Sequence, residues 1–486
     1  MLRFCALLSI AVVLQAESPR RLFIDDTWIA DTNLRRVIHQ ATKYEDNPIL
    51  LPVAPWEGQY TLLYGTVLRD EEEGIWKMWY STMNHFRYIN FVFPESTYLC
   101  YATSKDGIHW RKPALGIVDY RGAKENNIVL QGTHAPDLNI EGILDSVSVL
   151  KDAHDPDPAR RYKLMVWRHN QKFEGTKHSY VLEGPHRMGY YVAFSPDGTH
   201  WTERADPVFT YLPVRDTMSV MWDKRTSRYL AYVKEQVEGK RARFVSESDD
   251  FIHWTPPAPM LAADAQDPPD VELYANNAFP YEGMYLGLLT VFHPSPLDNI
   301  YLDLQLISSR DGRKWQRVGD RSPVIPVGRR NIDWDFGFNS PSTGPPIRVG
   351  DELWFYYSGR SYRHPIDGKQ GREPNKGAIG LAKLRLDGFV SMDAASEPRT
   401  LTTKPFTLDQ PALFLNADAS KGDIRVEILN QRGFTLSDAL PIERNGVRQE
   451  IRWRNVPSLA ALRGKTIQLR FHVRNAALYS FYEGAL

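Results

Sequence analysis

The sequence predicts an all-β protein, and three observations lead to this expectation. A short phrase recurs as SKDGIHW (104–110), SPDGTHW (195–201), SDDFIHW (248–254) and SSRDGRKW (308–315), with a worn copy LRLDGFVSM (384–392). Each copy follows an apolar strand and an aromatic-rich strand. Helical periodicity is nearly absent in this region. Asp-Gly and Asp-Asp pairs between extended segments are typical of hairpin turns, because Gly and Asx residues tolerate positive φ.

Each repeat contains four short strands. The first is apolar (YGTVLRD, DSVSVLKD, DTMSVMWD, YANNAFPY, STGPPIRV), and the second is aromatic-rich (WKMWYS, YKLMVW, YLAYV, MYLGLL, LWFYYS). The third ends at the Asp-Gly turn, and the fourth carries the Trp. Five such repeats predict a five-bladed β-propeller. The segment RLFIDDTWIA (21–30) is expected to pair with the last blade and close the ring, which removes an exposed sheet edge.

A different pattern follows the repeats. ALFLNAD, GDIRVEIL, QEIRWR and KTIQLRFHV alternate apolar and polar residues with turns between them. This alternation predicts a small C-terminal antiparallel β-sandwich. The expected organisation is therefore a propeller at 17–395 and a sandwich at 396–486. A packing role for the sandwich and a carbohydrate-binding role both stay open.

The N-terminal stretch MLRFCALLSIAVVLQA resembles a secretory signal peptide, with one positive charge, an apolar run and a small residue at Ala16. Cleavage after residue 16 predicts a secreted or periplasmic protein. No other stretch approaches the ~20 apolar residues of a membrane span, so no membrane partner is expected after signal removal. Cys100 would then be the single cysteine, so no internal disulfide is expected.

The amino-acid composition restricts the classes of molecule that the protein is expected to bind. The 486 residues contain 59 Lys+Arg and 59 Asp+Glu, so the charge balance does not predict nucleic-acid binding. Aromatic residues are abundant, with 13 Trp, 24 Tyr and 21 Phe. Many of them suit ordinary sheet packing, but aromatic rings with polar neighbours also suit sugar rings. A carbohydrate is the expected partner.

Acidic residues stand at the beginning of three consecutive first strands. Asp145 and Asp216 hold equivalent positions in blades 2 and 3, and blade 4 offers Asp270 and Glu272. The first strands of a propeller line its central channel, so we expect these side chains to converge. The alternative is that Asp145 and Asp216 bond structurally to a neighbouring blade. The closing acids of the same strands, Asp152 and Asp223, are expected to form turns.

Three carboxyl groups around one pocket fit glycosidic bond chemistry. One carboxylic acid protonates the departing oxygen, and a carboxylate on the other face acts as nucleophile or activates water. A third can hold the sugar or raise the pKa of the acid. We expect Glu272 to be the acid because Glu reaches furthest, and Asp145 and Asp216 to share the other roles.

Further side chains are candidates for sugar binding, each with ordinary loop structure as its alternative. They are Trp56 and Glu57 before blade 1, Arg168 and His169 after a blade-2 strand, Asp270, Trp334 and Asp335 before blade 5, and His364 after a blade-5 strand. No spacing indicates a transition-metal site, a phosphate loop or a nucleophile elbow. No cofactor is expected, although a structural Ca²⁺ or Na⁺ ion in the channel stays open.

The chain resembles the five-bladed propeller glycoside hydrolases, the superfamily of families 32, 43, 68 and 130. The resemblance covers roughly residues 21–395 and rests on NPIL (47–50), the S-x-D-G-x-x-W phrases and the blade acids. It implies a glycosidase. The chain departs from family 32 in lacking W-M-N-D-P-N-G, in reading Arg215-Asp216-Thr217 for R-D-P, and in reading Glu272-Leu273 for E-C. It departs from family 43 at Gly65-Thr66, where that family has an acid; Asp26 or Glu57 could take that place.

Two alternatives to hydrolysis stay open. One is a phosphorylase, in which phosphate replaces water and Arg168, Arg215 and Arg363 cradle it. The other is a non-catalytic sugar-binding propeller.

Overall fold

The computed structural model describes residues 18–83, 97–174, 177–209, 215–296, 299–361 and 377–485. Strands and short 3₁₀ helices form the regular structure of these residues, which contain no α-helix. The all-β prediction is therefore confirmed. The predicted signal peptide at 1–16, Arg363 and His364 lie outside the described residues. Within them, no helix has the length and apolarity that a membrane crossing needs.

The strands follow one another closely along the chain. The first are β1 (Arg21–Leu22), β2 (Ile29–Thr32), β3 (Arg35–Ile38) and β4 (Thr42–Lys43). Next come β5 (Tyr60–Asp70), β6 (Ile75–Met83), β7 (Thr97–Ser104), β8 (Trp110–Arg111), β9 (Ile128–Gln131), β10 (His134–Ala135), β11 (Ile140–Lys151), β12 (Tyr162–Glu174), β13 (Lys177–Tyr180), β14 (Gly189–Ser195) and β15 (Thr202–Glu203). The middle of the chain forms β16 (Arg215–Asp223), β17 (Arg228–Val237), β18 (Lys240–Ser248), β19 (Ala258–Leu261), β20 (Glu272–Asn276), β21 (Phe279–Tyr281), β22 (Met284–His293), β23 (Tyr301–Ser309), β24 (Trp315–Arg317) and β25 (Pro323–Ile325). Then follow β26 (Phe338–Pro341), β27 (Ile347–Val349), β28 (Glu352–Arg360) and β29 (Gly377–Arg385). The last are β30 (Val390–Ala394), β31 (Arg399–Thr403), β32 (Phe406–Thr407), β33 (Ala412–Asp418), β34 (Asp423–Ile428), β35 (Asn445–Glu450), β36 (Thr466–Ile467), β37 (Leu469–Arg474) and β38 (Ala476–Gly484). Short 3₁₀ helices occur at Pro55–Glu57, Pro136–Leu138, Pro158–Arg160 and Ala460–Leu462.

The chain divides into two compact units. The larger unit comprises residues 38–389, and the smaller combines residues 1–37 with 390–486. The smaller unit has two main antiparallel sheets, β3-β30-β38-β33-β35 and β2-β31-β37-β34. One apolar core contains residues of both sheets, including Leu415 and Phe481 from the first and Val426 and Phe471 from the second. This arrangement is a β-sandwich.

The larger unit consists of groups of antiparallel strands. Their orders are β5-β6-β7-β8, β11-β12-β14-β15, β16-β17-β18-β19, β20-β22-β23-β24 and β26-β28-β29-β4. We call the first strand of each group, β5, β11, β16, β20 and β26, its lead strand. The N-terminal end of a lead strand is its leading end, and the C-terminal end is its closing end.

Hydrogen bonds link the lead strands in a closed cycle, each to the next. They join Val149 N to Thr66 Oγ1 (2.9 Å), Val220 N to Ser148 Oγ (3.1 Å), Thr217 Oγ1 to Tyr274 O (2.8 Å), Asn277 Nδ2 to Ser342 O (3.0 Å) and Val67 N to Ser342 Oγ (3.2 Å). Asn277 is the first residue after β20, and Ser342 is the first residue after β26. A closed cycle of lead strands is consistent with a propeller, and the number of blades stays a prediction.

The repeated phrases form tight turns between third and fourth strands. In the second copy, Ser195 Oγ accepts from Gly198 N (2.8 Å), and Asp197 Oδ1 accepts from Thr199 N and His200 N. Asp106, Asp250 and Asp311 accept the equivalent bonds. Three of the copies place Gly at positive φ, and the third places Phe251 there at 68°. The interpretation of these four aspartates as turn residues is confirmed.

The segment 21–30 does not pair with the last strand group. Arg21–Leu22 pairs with β38, and Ile29 pairs with Thr403 of β31, so this segment belongs to the sandwich. The fourth strand of the last group is instead β4, which pairs with β29. The last group lacks a fourth strand of its own, because the chain beyond the turn at Asp387, in the fifth copy of the phrase, continues into the sandwich strand β30. That edge of the sheet is left for β4 to cover.

Candidate active site

Irregular pairing marks the leading ends of four lead strands. The register with the second strand shifts between Leu144 and Ser146 in β11, and between Arg215 and Met218 in β16. It shifts between Leu273 and Ala275 in β20, and between Leu62 and Thr66 in β5. Such bulges redirect a side chain out of the regular pleat. The residues inside these shifts include Tyr64, Asp145, Asp216 and Tyr274.

Three side chains from these bulges, Asp145, Asp216 and Tyr274, lie near Lys234 and Arg360, which come from second strands. We call these five residues the acid cluster. The Asp145 carboxyl lies close enough to Asp216, Lys234 and Arg360 for their charges to act on it. Tyr274 lies under the influence of both aspartates and of Tyr64. The structure therefore brings together Asp145 and Asp216, as the equivalent strand positions predict.

Asp145 is buried, with 9% of its surface exposed. Burial and the neighbouring charge of Asp216 raise the pKa of the Asp145 carboxyl to about 7, against the opposing effect of Lys234 and Arg360. A carboxyl group in this environment keeps its proton near neutral pH and can donate it.

Asp216 is the more exposed of the two acids, since 27% of its side chain is accessible. Its carboxylate forms an ion pair with Lys234, which is 2% exposed. Burial lowers the pKa of Lys234, although the Asp216 carboxylate opposes this. Lys234 Nζ also lies 4.0 Å from the centre of the Tyr274 ring, a cation–π contact. The Asp216 carboxylate and the Tyr274 ring thus together hold the Lys234 ammonium group in place.

Glu272 is not at the position equivalent to Asp145 and Asp216. The bulge in β20 falls on Tyr274, whereas Glu272 is the first paired residue of the strand, opposite Phe292. The Glu272 carboxylate accepts bonds from Arg241 N (3.0 Å) and Arg241 Nη1 (2.9 Å). The Arg241 guanidinium lies 5.6 Å from the Tyr274 ring, so Glu272 borders the acid cluster through Arg241. Asp270 lies in the turn that precedes β20 and is half-buried.

The side chains of Arg168 and His169, the candidates after a blade-2 strand, are engaged in contacts within the fold. Arg168 forms a bidentate ion pair with Glu203, at 2.5 and 2.6 Å, and also donates to Gln131 O and Thr133 Oγ1. A guanidinium engaged in this way is occupied by the fold, which gives no support to a phosphate-cradling role. The His169 ring stacks on Tyr180 at 4.9 Å.

The candidates before blade 1 are also engaged in internal contacts. Glu57 is fully buried and accepts from Val53 N, Ala54 N and Tyr80 Oη, with Lys112 Nζ 2.6 Å away. Trp56 Nε1 donates to Asn127 Oδ1 at 2.8 Å. Both residues anchor the 3₁₀ turn that leads into β5. The other candidate for the missing blade-1 acid, Asp26, belongs to the sandwich unit and pairs there with Arg36.

The candidates before blade 5 pack against β28 and β29. Asp335 is buried, 2.6 Å from Lys43 Nζ and 2.9 Å from Tyr357 Oη. Trp334 stacks on Tyr357, and its ring fills the space where side chains at Gly359 and Gly380 would lie. The tight fit explains glycine at these two strand positions. These contacts give Trp334 and Asp335 a structural role in joining β4 to its group.

Sequence reasoning missed Lys234 and Arg360. Both lie toward the ends of second strands, β17 and β28, and both are almost fully buried. The available signal was a charged residue next to an apolar aromatic run, AYVK and YYSGR, because Lys and Arg are seldom buried without a partner. Across the residues that the structure describes, no group of three His, Cys, Asp or Glu side chains is arranged to hold a metal ion.

The chain is similar in structure to solved carbohydrate-active enzymes. An N-acetylgalactosamine deacetylase from F. plautii, in complex with blood group B trisaccharide, has 15% identity and a TM-score of 0.47, covering 74% of this chain and 96% of its own. A β-1,2-mannobiose phosphorylase from Listeria innocua has 13% identity and a TM-score of 0.45, covering 71% and 96%. An α-L-arabinofuranosidase from Podospora anserina, in complex with cellotriose, has 14% identity and a TM-score of 0.45, covering 72% and 98%.

No protein-family model and no curated protein matches the chain. At such identities, and with TM-scores below 0.5, the likeness does not tell what this chain acts on, which has to come from its own residues.

Proposed function

We propose that the larger unit is a five-bladed propeller that hydrolyses glycosidic bonds of an oligo- or polysaccharide at the acid cluster. One observation carries the proposal. Two carboxyl groups from neighbouring lead strands, Asp145 and Asp216, adjoin each other in contrasting settings, one buried with a pKa of about 7 and one beside a lysine. Pairs of carboxyl groups with separated environments are typical of glycosidases.

Asp145 is the proposed proton donor. As the bond between the anomeric carbon and the glycosidic oxygen breaks, the Asp145 proton passes to the departing oxygen. Water supplies the replacement oxygen. If Asp216 has bonded to the anomeric carbon, the water proton returns to Asp145; if Asp216 activates the water, Asp216 takes that proton and exchange with solvent restores both carboxyl groups. Because the donor must be protonated, we expect kcat/KM to fall as the pH rises through about 7.

Asp216 is the proposed partner on the other face of the sugar. Its carboxylate either bonds to the anomeric carbon or takes the proton from the attacking water, and these two routes differ in stereochemical outcome. Lys234 orients Asp216 through their ion pair.

Glu272 remains a candidate for the third carboxyl group. Its two bonds from Arg241 aim it at the border of the cluster, where it could hold a sugar hydroxyl. The sequence favoured Glu272 as the acid, whereas burial beside Asp216 supports Asp145 in that role. Comparison of Asp145→Asn with Glu272→Gln separates the two assignments, because substitution of the acid removes activity toward substrates with poor leaving groups.

The test is a screen of chromogenic glycosides and plant or algal polysaccharides with the purified protein. Products are detected by chromatography, and hits are repeated with Asp145→Asn and Asp216→Asn. Asp197→Asn, a turn variant in the same unit, is the matched control. On the polysaccharides, whose leaving groups are poor, we expect both cluster variants to lose turnover and the control to keep it. Sugar binding without turnover in any form would instead favour a non-catalytic binding propeller.

We also propose that the protein is exported, because residues 1–16 have the pattern of a signal peptide. Expression of the full chain in a bacterial host, followed by N-terminal sequencing of the exported material, should show a mature chain that begins at Glu17. Retention of the intact N-terminus in the cytosol would contradict this.

A further inference from the structure

Arg243 is a fully buried arginine of β18 that lies beside the acid cluster. Its guanidinium donates five hydrogen bonds, all of them to neutral oxygen atoms. The acceptors are Asn276 Oδ1 (2.7 Å), Thr217 Oγ1 (3.1 Å), Thr217 O (3.3 Å), Tyr274 O (3.0 Å) and Tyr232 O (3.0 Å). Four of these bonds end on residues of the lead strands β16 and β20, so Arg243 joins two neighbouring strand groups.

Two of the acceptor residues, Thr217 and Tyr274, lie in the bulges of these lead strands. A bulge takes backbone groups out of the regular ladder, and a buried carbonyl oxygen there needs a donor from elsewhere. Arg243 donates to the carbonyl oxygens of both residues, and Thr217 Oγ1 donates to Tyr274 O at 2.8 Å. The two bulges are thus tied to each other and to one guanidinium group.

The same two bulges carry side chains of the acid cluster. Asp216 directly precedes Thr217 in the bulge of β16, and Tyr274 is itself a member of the cluster. Lys234 contacts the side chains of both Asp216 and Tyr274, by an ion pair with the first and at 4.0 Å from the ring centre of the second. Arg243 therefore holds the main chain of two bulges whose side chains meet at Lys234.

The position of Arg243 requires the planar shape of a guanidinium group and not only a positive charge. Its three nitrogen atoms reach acceptors on three strands, β16, β17 and β20. A lysine ammonium group carries the same charge on a single nitrogen atom, which cannot span acceptors that lie so far apart. Replacement of Arg243 by lysine would therefore keep the charge and release at least one of the two bulges.

We propose that Arg243 is a positioning residue, which holds the bulges of β16 and β20 together and so fixes Asp216 and Tyr274 relative to Asp145. The catalytic consequence rests on the proposed function, whereas the positions of these side chains can be measured without a substrate. A displacement of about 1 Å in a reacting group can lower a rate about 100-fold, so loss of these bonds should be visible in turnover.

The first measurement uses Arg243→Lys. We expect kcat to fall about 10- to 100-fold and KM to change less than about threefold, because a displaced carboxylate slows the reaction without weakening substrate binding. Arg317→Lys is the matched control, since Arg317 is 4% exposed and bonds Asp267 and Gln305 from β24, the fourth strand of its group. The control should lower the melting temperature and leave kcat unchanged. A kcat within about threefold of wild type in folded Arg243→Lys would overturn the proposal.

The second measurement removes a single hydroxyl group and applies even if Arg243→Lys does not fold. Thr217→Val has nearly the same size but can neither accept from Arg243 nor donate to Tyr274 O, so kcat should fall about 10-fold. Thr217→Ser keeps the hydroxyl group and should stay within about threefold of wild type. Equal kcat values in the two variants, or a lower value in Thr217→Ser, would contradict the proposal.

The third measurement does not depend on catalysis. Crystal structures of the wild type, Arg243→Lys and Thr217→Val should show the Asp216 carboxyl group displaced by about 1 Å or more from its wild-type distance to Asp145 in the variants, with the other strand groups superposed. If the wild type cleaves no glycoside but the displacement is present, the proposed function fails and the positioning role stands. If Asp216 and Tyr274 keep their places in both variants, the positioning role is rejected.

Discussion

The two ends of the lead strands carry aspartates in opposite environments. At the leading ends, Asp145 is buried, and burial together with Asp216 raises its pKa to about 7. At the closing ends, Asp70, Asp152 and Asp223 are also buried, yet the pKa of each carboxyl lies below its ordinary value. Burial alone therefore does not decide the protonation state.

Hydrogen-bond partners account for the difference. Burial opposes the ionisation of Asp70, but bonds from Lys151, Tyr162 and Lys77 outweigh it. Tyr162 belongs to the second strand of the next group, and its hydroxyl donates to Asp70 Oδ2 at 2.7 Å.

The same link recurs twice around the unit. The hydroxyl of Tyr229 donates to Asp152, and that of Tyr285 donates to Asp223 at 2.5 Å. Asp152 and Asp223 also accept from the backbone two residues onward, at His154 N and Arg225 N, which confirms their role in turns. Each closing acid thus joins one strand group to the next, an additional role that the turn prediction did not include.

The comparison teaches that the pKa of a buried aspartate is lowered where hydrogen-bond donors surround the carboxylate, and is raised at Asp145, where burial and the charge of Asp216 act on it. Substitution of an aspartate at each end, followed by comparison of the losses in activity and stability, is therefore the sharpest test of this difference.

The largest expected effect is on activity. Asp145→Asn should lower kcat/KM about 1,000-fold with the fold retained, because the proton donor is lost. Asp152→Asn, one strand length away, should destabilise the protein but leave kcat/KM nearly unchanged. Steady-state kinetics well below the melting temperature of each variant measure both. Equal losses of activity would remove the functional distinction between the two ends.

The next effect is on stability at the closing end. Asp70→Asn should lower the free energy of unfolding by about 3 kcal/mol, since Lys77 is 2% exposed and would lose its buried counter-ion. Glu73→Gln removes the other, 53% exposed partner of Lys77 and should cost less than about 1 kcal/mol. Denaturant unfolding monitored by Trp fluorescence provides the values. Similar losses in both variants would show that burial of the partner is unimportant.

A smaller effect tests the raised pKa of Asp145. A carboxyl whose folded pKa exceeds its unfolded pKa stabilises the protein below the unfolded value, and this stability is lost as the pH rises through the folded value. Wild type should therefore lose about 2.7 kcal/mol relative to Asp145→Asn between pH 5 and pH 8.5. Unfolding curves across this range measure the difference. A difference that stays constant with pH would contradict the raised pKa.

The smallest effect concerns an aspartate of neither end. Asp197 holds its turn through bonds from Thr199 N and His200 N, so Asp197→Ala should cost about 1 kcal/mol in unfolding free energy. Asp206→Ala, at a side chain 73% exposed and 3.7 Å from Arg187, should cost less than half of that. Neither should alter kcat/KM, and loss of activity in Asp197→Ala would contradict the turn role.

Local features were predictable from the sequence. The turns at Asp106 and Asp197 are held by bonds between residues two or three positions apart, so their cause is present in the phrase itself. Strand alternation likewise indicated the sandwich. The equivalence of Asp145 and Asp216 followed from the repeat, because equivalent positions of equivalent strands point the same way.

Contacts between distant parts of the chain were not predictable in this way. The single-residue bulge in β20 selects Tyr274 over Glu272, and no local pattern marks it. Lys234 and Arg360 act on Asp145 from strands far along the chain. The local sequence around a charged strand residue does not indicate which distant residue it will contact.

The sequence by itself determined which segments are strands and where the chain turns, since these depend on side-chain alternation and on hydrogen bonds within a few residues. Only the tertiary structure decided that Glu272 lies outside the bulge position of Asp145 and Asp216, which carboxyl groups are surrounded by donors, and that β4 instead of residues 21–30 completes the last strand group. The physical reason is that a protonation state and a sheet edge depend on neighbours in space, which the packing of separate strand groups supplies.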